Sequence, residues 1–364
     1  MISTSFLGRG AGGAGRLACI LVAIAWSPPT AAAGAETLGF VWGGEPERRW
    51  PGPDWYANRV QDGAVRADAL ECWPRRPLRT AHLLPARLEV AGLPNGAEVT
   101  MRVRIEPIGG TPARGAFAGL LIGAGSRTID HRLTAMVQQA PGADGGTLVV
   151  VDEREQVRVF DFGSVTGEAG FRWSLPRNVT TLDLAEIIPA EALRSRQGVW
   201  QSEQTRTLEV VCRIEAGGAA SLSARLLGGG RVISSVQLND LAEDVLDGGI
   251  ALVGHRDTGA AGWRFRSVEI ETDDGWVGER PARRWGPVLG VLYTVDRSDA
   301  GESTLRLTAQ LPVMPIEQVD DLVLELSGAD GRWREVASAS VEPDSHTARF
   351  TVPGIAEDAA GWYR

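Results

Sequence analysis

The sequence predicts an all-β protein built from antiparallel β-sandwiches. Short runs alternate apolar and polar residues with a period of two, paired glycines separate many of these runs, and helical stretches are few. A period of two sends alternate side chains to opposite faces of a sheet, which suits strands with one buried face. The 364 residues, 43% of them hydrophobic, are enough for two domains that each bury a core.

The first 35 residues match the three-part pattern of a secretory signal peptide. Arg9 and Arg16 precede an apolar core at residues 17–26, and small residues at 31–35 offer cleavage sites. This core is shorter than the roughly 20 apolar residues that span a bilayer. We therefore expect a cleaved leader at residues 1–35, a periplasmic or extracellular mature chain, and no transmembrane anchor after cleavage.

The charged residues restrict both chemistry and partners. All 37 basic residues are arginine, which excludes a lysine nucleophile or Schiff base. The formal net charge is −9, and it becomes 35 − 46 = −11 without the leader, which contains two arginines and no acidic residue. We expect no nucleic-acid partner, because an acidic chain without a basic stripe repels phosphate backbones.

Strand-like segments follow one another through the first 280 residues. Trp263 and Phe265 occupy odd-numbered positions, whereas Val268 and Ile270 occupy even-numbered ones. A regular strand would place the two pairs on opposite faces, so we expect a β-bulge near residues 266–267 that returns all four to one buried face. The predicted strands include residues 99–105, 147–151, 156–160, 208–214, 222–226 and 232–238, and short helices are predicted at 189–195 and 239–246.

A second domain is expected after a polar stretch with Gly and Pro at residues 273–284. Its predicted strands cover residues 304–311, 322–326, 333–341 and 348–352, with a fifth beginning at 362–363. An immunoglobulin-like sandwich has about seven strands. The pattern therefore predicts an incomplete sandwich.

Several short motifs resemble a known family. They are LEC at 70–72, TAHLL at 80–84, GLLIG at 119–123, IDHR at 129–132, GIALVGH at 249–255, GWRF at 262–265 and VEI at 268–270. In this order they resemble the concanavalin-like jelly-roll that precedes the catalytic domain in bacterial alkaline phosphatase D-like metallophosphatases. Residues 286–289, 305–312 and 331–337 resemble the small sandwich domain that follows it. The resemblance implies a jelly-roll at residues 36–280 and a smaller, incomplete immunoglobulin-like sandwich at 281–364.

The metal ligands of that family have no counterpart here. The four histidines, His82, His131, His255 and His346, are at least 49 residues apart and form no metal-ligand pair. We therefore predict no catalytic residue, no metal and no cofactor. The resemblance implies an ancillary region whose partner is a separately encoded phosphatase domain, or the front part of a complete phosphodiesterase or alkaline phosphatase.

The densest aromatic group suggests a carbohydrate site. Trp42, Trp50, Trp55, Tyr56 and Trp73 lie close together in sequence, among several arginines. Sugar rings stack on exposed aromatic faces, so these five are the candidate contacts for a carbohydrate such as an envelope glycan. The alternative is that they pack within the sandwich, since aromatic side chains dominate cores.

Two cysteines remain once the leader and its Cys19 are removed. An even number in an exported chain predicts one disulfide, between Cys72 and Cys212. The alternative is two buried thiols, because cysteine is often buried without pairing.

An acidic triplet provides a second functional hypothesis. Glu269, Glu271 and Asp273 alternate along one strand and resemble the triplet of laminarinase-type glucanases, although the order of Glu and Asp differs. Neighbouring carboxyls about 5–5.5 Å apart would suit a retaining glycoside hydrolase. The alternative is that the triplet is the solvated face of a sheet.

Overall fold

The computed structural model describes a protein made almost entirely of β-strands. The described residues are 36–43, 47–57, 60–73, 78–125, 146–161, 185–186, 199–255, 262–272, 275–279, 288–297, 302–311, 321–328, 331–356 and 362–363. The chain divides into two compact units, with the boundary between Trp285 and Gly286. The leader predicted at residues 1–35 and the helix predicted at 189–195 lie outside the described residues.

The larger unit contains strands β1 to β16 and two short 3₁₀ turns, Val60–Asp62 and Glu243–Leu246. In chain order the strands are Glu36–Val41, Trp55–Ala57, Gly63–Arg66, Ala69–Cys72, Arg79–Leu88, Glu98–Ile108, Phe117–Ala124, Thr147–Asp152, Val157–Asp161, Ala185–Glu186, Arg206–Ile214, Ala220–Gly228, Arg231–Leu241, Gly248–His255, Gly262–Thr272 and Val277–Glu279.

These strands form two eight-stranded antiparallel sheets. Sheet A has the order β13-β12-β11-β6-β15-β4-β3, and β1 also pairs with β15. Sheet B has the order β10-β9-β8-β7-β14-β5-β16, and β2 also pairs with β5. The chain passes repeatedly between the sheets, so consecutive strands such as β5, β6 and β7 alternate between them. The prediction of an all-β jelly-roll sandwich is confirmed.

The main core lies between the two sheets. Along β6, Val99, Met101, Val103 and Ile105 are fully buried in one apolar cluster that includes residues of both sheets. Because side chains alternate along a strand, the intervening residues of β6 point to the outer face of sheet A. That outer face carries the polar groups described below.

The expected β-bulge is present in β15. The register against β6 slips between Phe265 and Ser267, and all four apolar residues of this strand join the main core as predicted. The slip leaves Arg266 as the extra residue. Its side chain lies on the outer face beside Arg264.

The predicted disulfide is wrong, because the two cysteines lie far apart within sheet A. Cys212 pairs in register with Val99, which pairs with Thr272 of β15, whereas Cys72 pairs with Trp263 of the same strand. They are therefore three strands apart and 272 − 263 = 9 residues apart along β15, which gives a Cα separation of roughly 30 Å. A disulfide needs about 7 Å or less. Cys212 is instead a core residue, and burial raises the pKa of its thiol to about 12.

The helix predicted at residues 239–246 is also wrong. Strand β13 continues to Leu241, and only the short 3₁₀ turn Glu243–Leu246 follows. Asn239 is therefore a strand residue rather than a helix cap. Among the described ranges, no helix is long and apolar enough to cross a membrane.

The smaller unit contains strands β17 to β22, which form two three-stranded sheets. The strands are Gly290–Arg297, Glu302–Gln310, Leu322–Ser327, Trp333–Ala339, Thr347–Ala356 and Trp362–Tyr363. The sheet orders are β17-β18-β21 and β20-β19-β22, around a core that includes Leu305, Leu324 and Phe350. The sequence did not predict β17, where Leu292 is 80% exposed. The immunoglobulin-like character of this unit stays a prediction.

Candidate ligand-binding site

The outer face of sheet A carries rows of charged side chains that cross its strands. In the first row, Glu71 of β4, Arg264 of β15 and Glu106 of β6 lie opposite one another in register. Directly opposite residues on one face have Cβ atoms about 5 Å apart, so long side chains meet. Arg264 donates from Nε and Nη2 to Glu71 Oε1 at 3.0 and 2.6 Å, and from Nη1 to Glu106.

Glu106 is the most enclosed carboxylate of this face, with a side chain only 2% exposed. Besides Arg264, it accepts Nε and Nη2 of Arg266, both at 3.0 Å, and the hydroxyl of Thr205 at 2.7 Å. Burial alone would raise the pKa of Glu106, but the hydrogen bonds from Arg266, Thr205 and Arg264 outweigh it, and the net effect lowers the pKa. Glu106 is therefore ionised, and its charge holds the surrounding donor side chains in place.

A second row of ion pairs runs parallel to the first. Arg102 donates to Glu209 and to Glu271, both at 2.7 Å, and Glu209 also accepts from Arg225. Burial opposes the ionisation of Glu209, but its two arginines outweigh burial and lower its pKa. This row, like the first, holds two arginines and two glutamates.

The row between these two contains one charged residue. Arg104 of β6 lies opposite Thr207 of β11 on one side and Ser267 of β15 on the other. Arg104 is exposed, whereas Thr207 is half-buried and Ser267 buried. The row thus presents a guanidinium between two hydroxyl groups.

A cleft of about 570 Å³ opens on this face. The arginines and Glu106 come from the central strands β6 and β15, whereas the exposed Asp68 and Glu203 belong to the β3–β4 turn and the segment before β11. The floor therefore offers mainly N–H donors and the rim carboxylate acceptors. The lining residues are Val41, Gly43, Asp68, Arg104, Glu106, Glu203, Thr205, Arg264, Arg266 and Ser267.

Two of the five predicted aromatic contacts are core residues. Trp42 and Trp55 are each 3% exposed, and their rings lie 5.6 Å apart. The indole of Trp42 donates to the carbonyl of Pro51, and the ring of Phe40 packs against Trp55. The prediction that Trp42 and Trp55 contact a ligand is therefore wrong, and the packing alternative holds for them.

The other three predicted aromatic residues are half-buried and do not form one platform. Tyr56 lies in sheet B, opposite His82, and burial raises the pKa of its hydroxyl. The guanidinium of Arg48 lies 5.6 Å from the ring centre of Trp50, and that of Arg66 lies 5.4 Å from the ring centre of Trp73. Their role in ligand binding stays a prediction.

Two members of the acidic triplet lie on the solvated face. Glu269 and Glu271 are exposed on the outer face of β15, and Asp273 lies outside the described residues. Glu271 is ion-paired to Arg102. Among the described residues, no group of three or more His, Cys, Asp or Glu side chains could hold a metal ion, and burial lowers the pKa of His82 to about 3.

The cleft was not predicted from the sequence, although its two central strands carry a recognisable pattern. Arginine and glutamate alternate with apolar residues in MRVRIE at 101–106 and WRFRSVEIE at 263–271. Such a pattern indicates a charged outer face. Only the strand order brings these two segments side by side.

Comparisons with known proteins give distant structural likenesses. The Emp46p carbohydrate recognition domain, metal-free, matches at 10% identity with a TM-score of 0.36, covering 60% of this chain and 87% of that one. Lectin I from Ulex europaeus, in complex with the methyl glycoside of α-L-fucose, matches at 11% identity with a TM-score of 0.36, covering 65% of this chain and 98% of the lectin chain. The marine PL-14 alginate lyase from Aplysia kurodai matches at 8% identity with a TM-score of 0.36, covering 63% of this chain and 91% of the lyase chain.

Neither the family models nor the curated proteins contain a match. The structural scores and identities are too low to transfer a function to this chain. The assignment of the fold depends on the strand order and register of the protein itself.

We predict that Glu106→Gln lowers the free energy of unfolding by about 3 kcal/mol, because it leaves two largely enclosed guanidinium groups without their shared carboxylate. Urea unfolding of the full chain, followed by tryptophan fluorescence, measures this change. The matched control is Glu269→Gln on the same face, where an exposed side chain should change the value by less than about 0.5 kcal/mol. Equal effects of the two substitutions would contradict a structural role for Glu106.

Proposed function

We propose that this chain is an exported, non-catalytic glycan-binding protein and that the cleft on the outer face of sheet A holds the glycan. One observation carries the proposal: guanidinium donors line the floor and exposed carboxylates lie at the rim. Neighbouring hydroxyl groups of a sugar ring both donate and accept hydrogen bonds. A cleft that presents both kinds of partner at fixed positions suits such a ligand.

The same groups favour binding over glycoside hydrolysis. A retaining hydrolase needs one carboxyl group that stays protonated near neutral pH to act as the acid. The arginines around Glu106 and Glu209 lower both pKa values, which opposes that role. Of the two described members of the acidic triplet on this face, Glu271 is ion-paired to Arg102.

We further propose that this protein acts as the ancillary region of an alkaline phosphatase D-like phosphatase in the periplasm or outside the cell. The support is the order of sequence motifs in both units, which resembles the non-catalytic region of that family. We expect an Asp- and His-rich metallophosphatase sequence to be encoded downstream of Arg364, in frame or after a frameshift. Downstream DNA without such a sequence would contradict this association.

The binding site itself can be tested by filling the cleft. Gly43 is exposed in the lining, and a Cβ atom added there meets no atom within 4 Å. Gly43→Trp should therefore fold normally and obstruct the cleft. We expect the wild-type chain to bind at least one member of a panel of immobilised neutral and acidic polysaccharides, and Gly43→Trp to weaken that binding about tenfold or more.

The matched control is Gly290→Trp in the smaller unit, where an added Cβ is also unobstructed. This variant should bind like the wild type. If the wild-type chain binds no polysaccharide, the proposed function is wrong. If Gly43→Trp binds as well as Gly290→Trp, the site lies elsewhere.

A further inference from the structure

Arg104 differs from the neighbouring arginines of the outer face of sheet A. Arg102, Arg225, Arg264 and Arg266 each bond at least one glutamate. Arg104 is exposed in the cleft and makes no hydrogen bond or ion pair within the part of the chain that the structure describes. Its guanidinium therefore keeps five N–H donors available to a ligand.

Arg104 lies between two rows of ion pairs. The row on one side consists of Glu71, Glu106, Arg264 and Arg266, and the row on the other side of Arg102, Arg225, Glu209 and Glu271. These eight side chains sum to a formal charge of zero, and the exposed Glu269 opposite Arg102, together with Asp68 and Glu203 of the cleft, adds three negative charges. Arg104 adds one positive charge to the floor, and the enclosed carboxylates Glu106 and Glu209 are each bonded to two other arginines.

Further donors lie beside Arg104. Thr207 and Ser267 occupy the positions directly opposite it on the two adjacent strands, at Cβ separations of about 5 Å. Arg266 uses Nε and Nη2 for Glu106, which leaves its Nη1 group available.

We infer that the cleft selects saccharides that carry an oxyanion, either a uronate carboxylate or a sulfate ester, and that Arg104 anchors this group. The inference rests on the proposed glycan-binding function and specifies its ligand. Arginine matches an oxyanion with two parallel charge-assisted hydrogen bonds. The rim carboxylates Asp68 and Glu203 would accept hydroxyl groups of the same sugar. The attraction for an oxyanion would come from the arginines of the cleft rather than from the whole chain, since the chain has a net charge of −9.

Calorimetric titration of the full chain tests this selection with matched ligands. The probes are hexamers of galacturonate, mannuronate and glucuronate, each beside the same hexamer with its carboxylates methyl-esterified, and a sulfated galactan hexamer beside its desulfated form. We expect at least one anionic probe to bind about tenfold more tightly than its neutral counterpart. The pair that shows the preference distinguishes a carboxylate ligand from a sulfate ligand.

Arg104→Gln should remove that preference, weakening the anionic probe about tenfold and changing the neutral one by less than about twofold. Arg104→Lys should recover part of the loss, because it restores the charge without the planar fork. The control is Arg213→Gln, an exposed arginine of β11 outside the cleft, which should bind like the wild type.

The outcomes separate this inference from the function on which it rests. If the chain binds neutral and anionic probes equally, or if Arg104→Gln keeps the preference, the inference about Arg104 is wrong and glycan binding stands. If none of the probes binds and the polysaccharide panel is also negative, glycan binding itself fails.

Discussion

The enclosed carboxylate of Glu106 organises the outer face of the larger unit. An ionised carboxylate that is 2% exposed is costly unless donors replace its water. Arg264, Arg266 and Thr205 provide those donors, from strand β15 and from the segment that leads into β11. The charge of one residue therefore fixes side chains of β15 and of the segment before β11. The β-bulge contributes, because it places Arg266 on the same face as Arg264.

In the proposed site, a ligand would not first have to break the contacts of the cleft. The carboxylates of the floor are bonded to arginines of their own rows, and Arg104 lies between the rows with no glutamate partner among the described residues. A ligand at the middle row would meet donors held by strands rather than by mobile loops. Such preorganisation lowers the entropic cost of binding.

Much of the fold could be predicted from the sequence, because the period-two alternation of apolar and polar residues indicates which side chains of a strand are buried. The bulge in β15 followed from the change of parity between Phe265 and Val268. The disulfide prediction failed because an even cysteine count gives no information on strand register. Trp42 and Trp55 were misassigned because a high density of aromatic residues along the sequence does not distinguish buried rings from exposed ones. The cleft was missed because it joins residues distant in sequence, such as Glu106 and Arg264, which are 158 positions apart.

The central claim is that ligand binds over the middle row of sheet A and not at the aromatic residues that the sequence favoured. The most direct measurement is the mapping of NMR shift changes in deuterated, ¹⁵N-labelled full-length protein during titration with the acidic hexasaccharides. The account predicts changes concentrated at Arg104, Thr207 and Ser267, including the Nε–H signal of Arg104. Changes concentrated instead at Trp50, Tyr56 or Trp73, with the Arg104 signal unmoved, would contradict it.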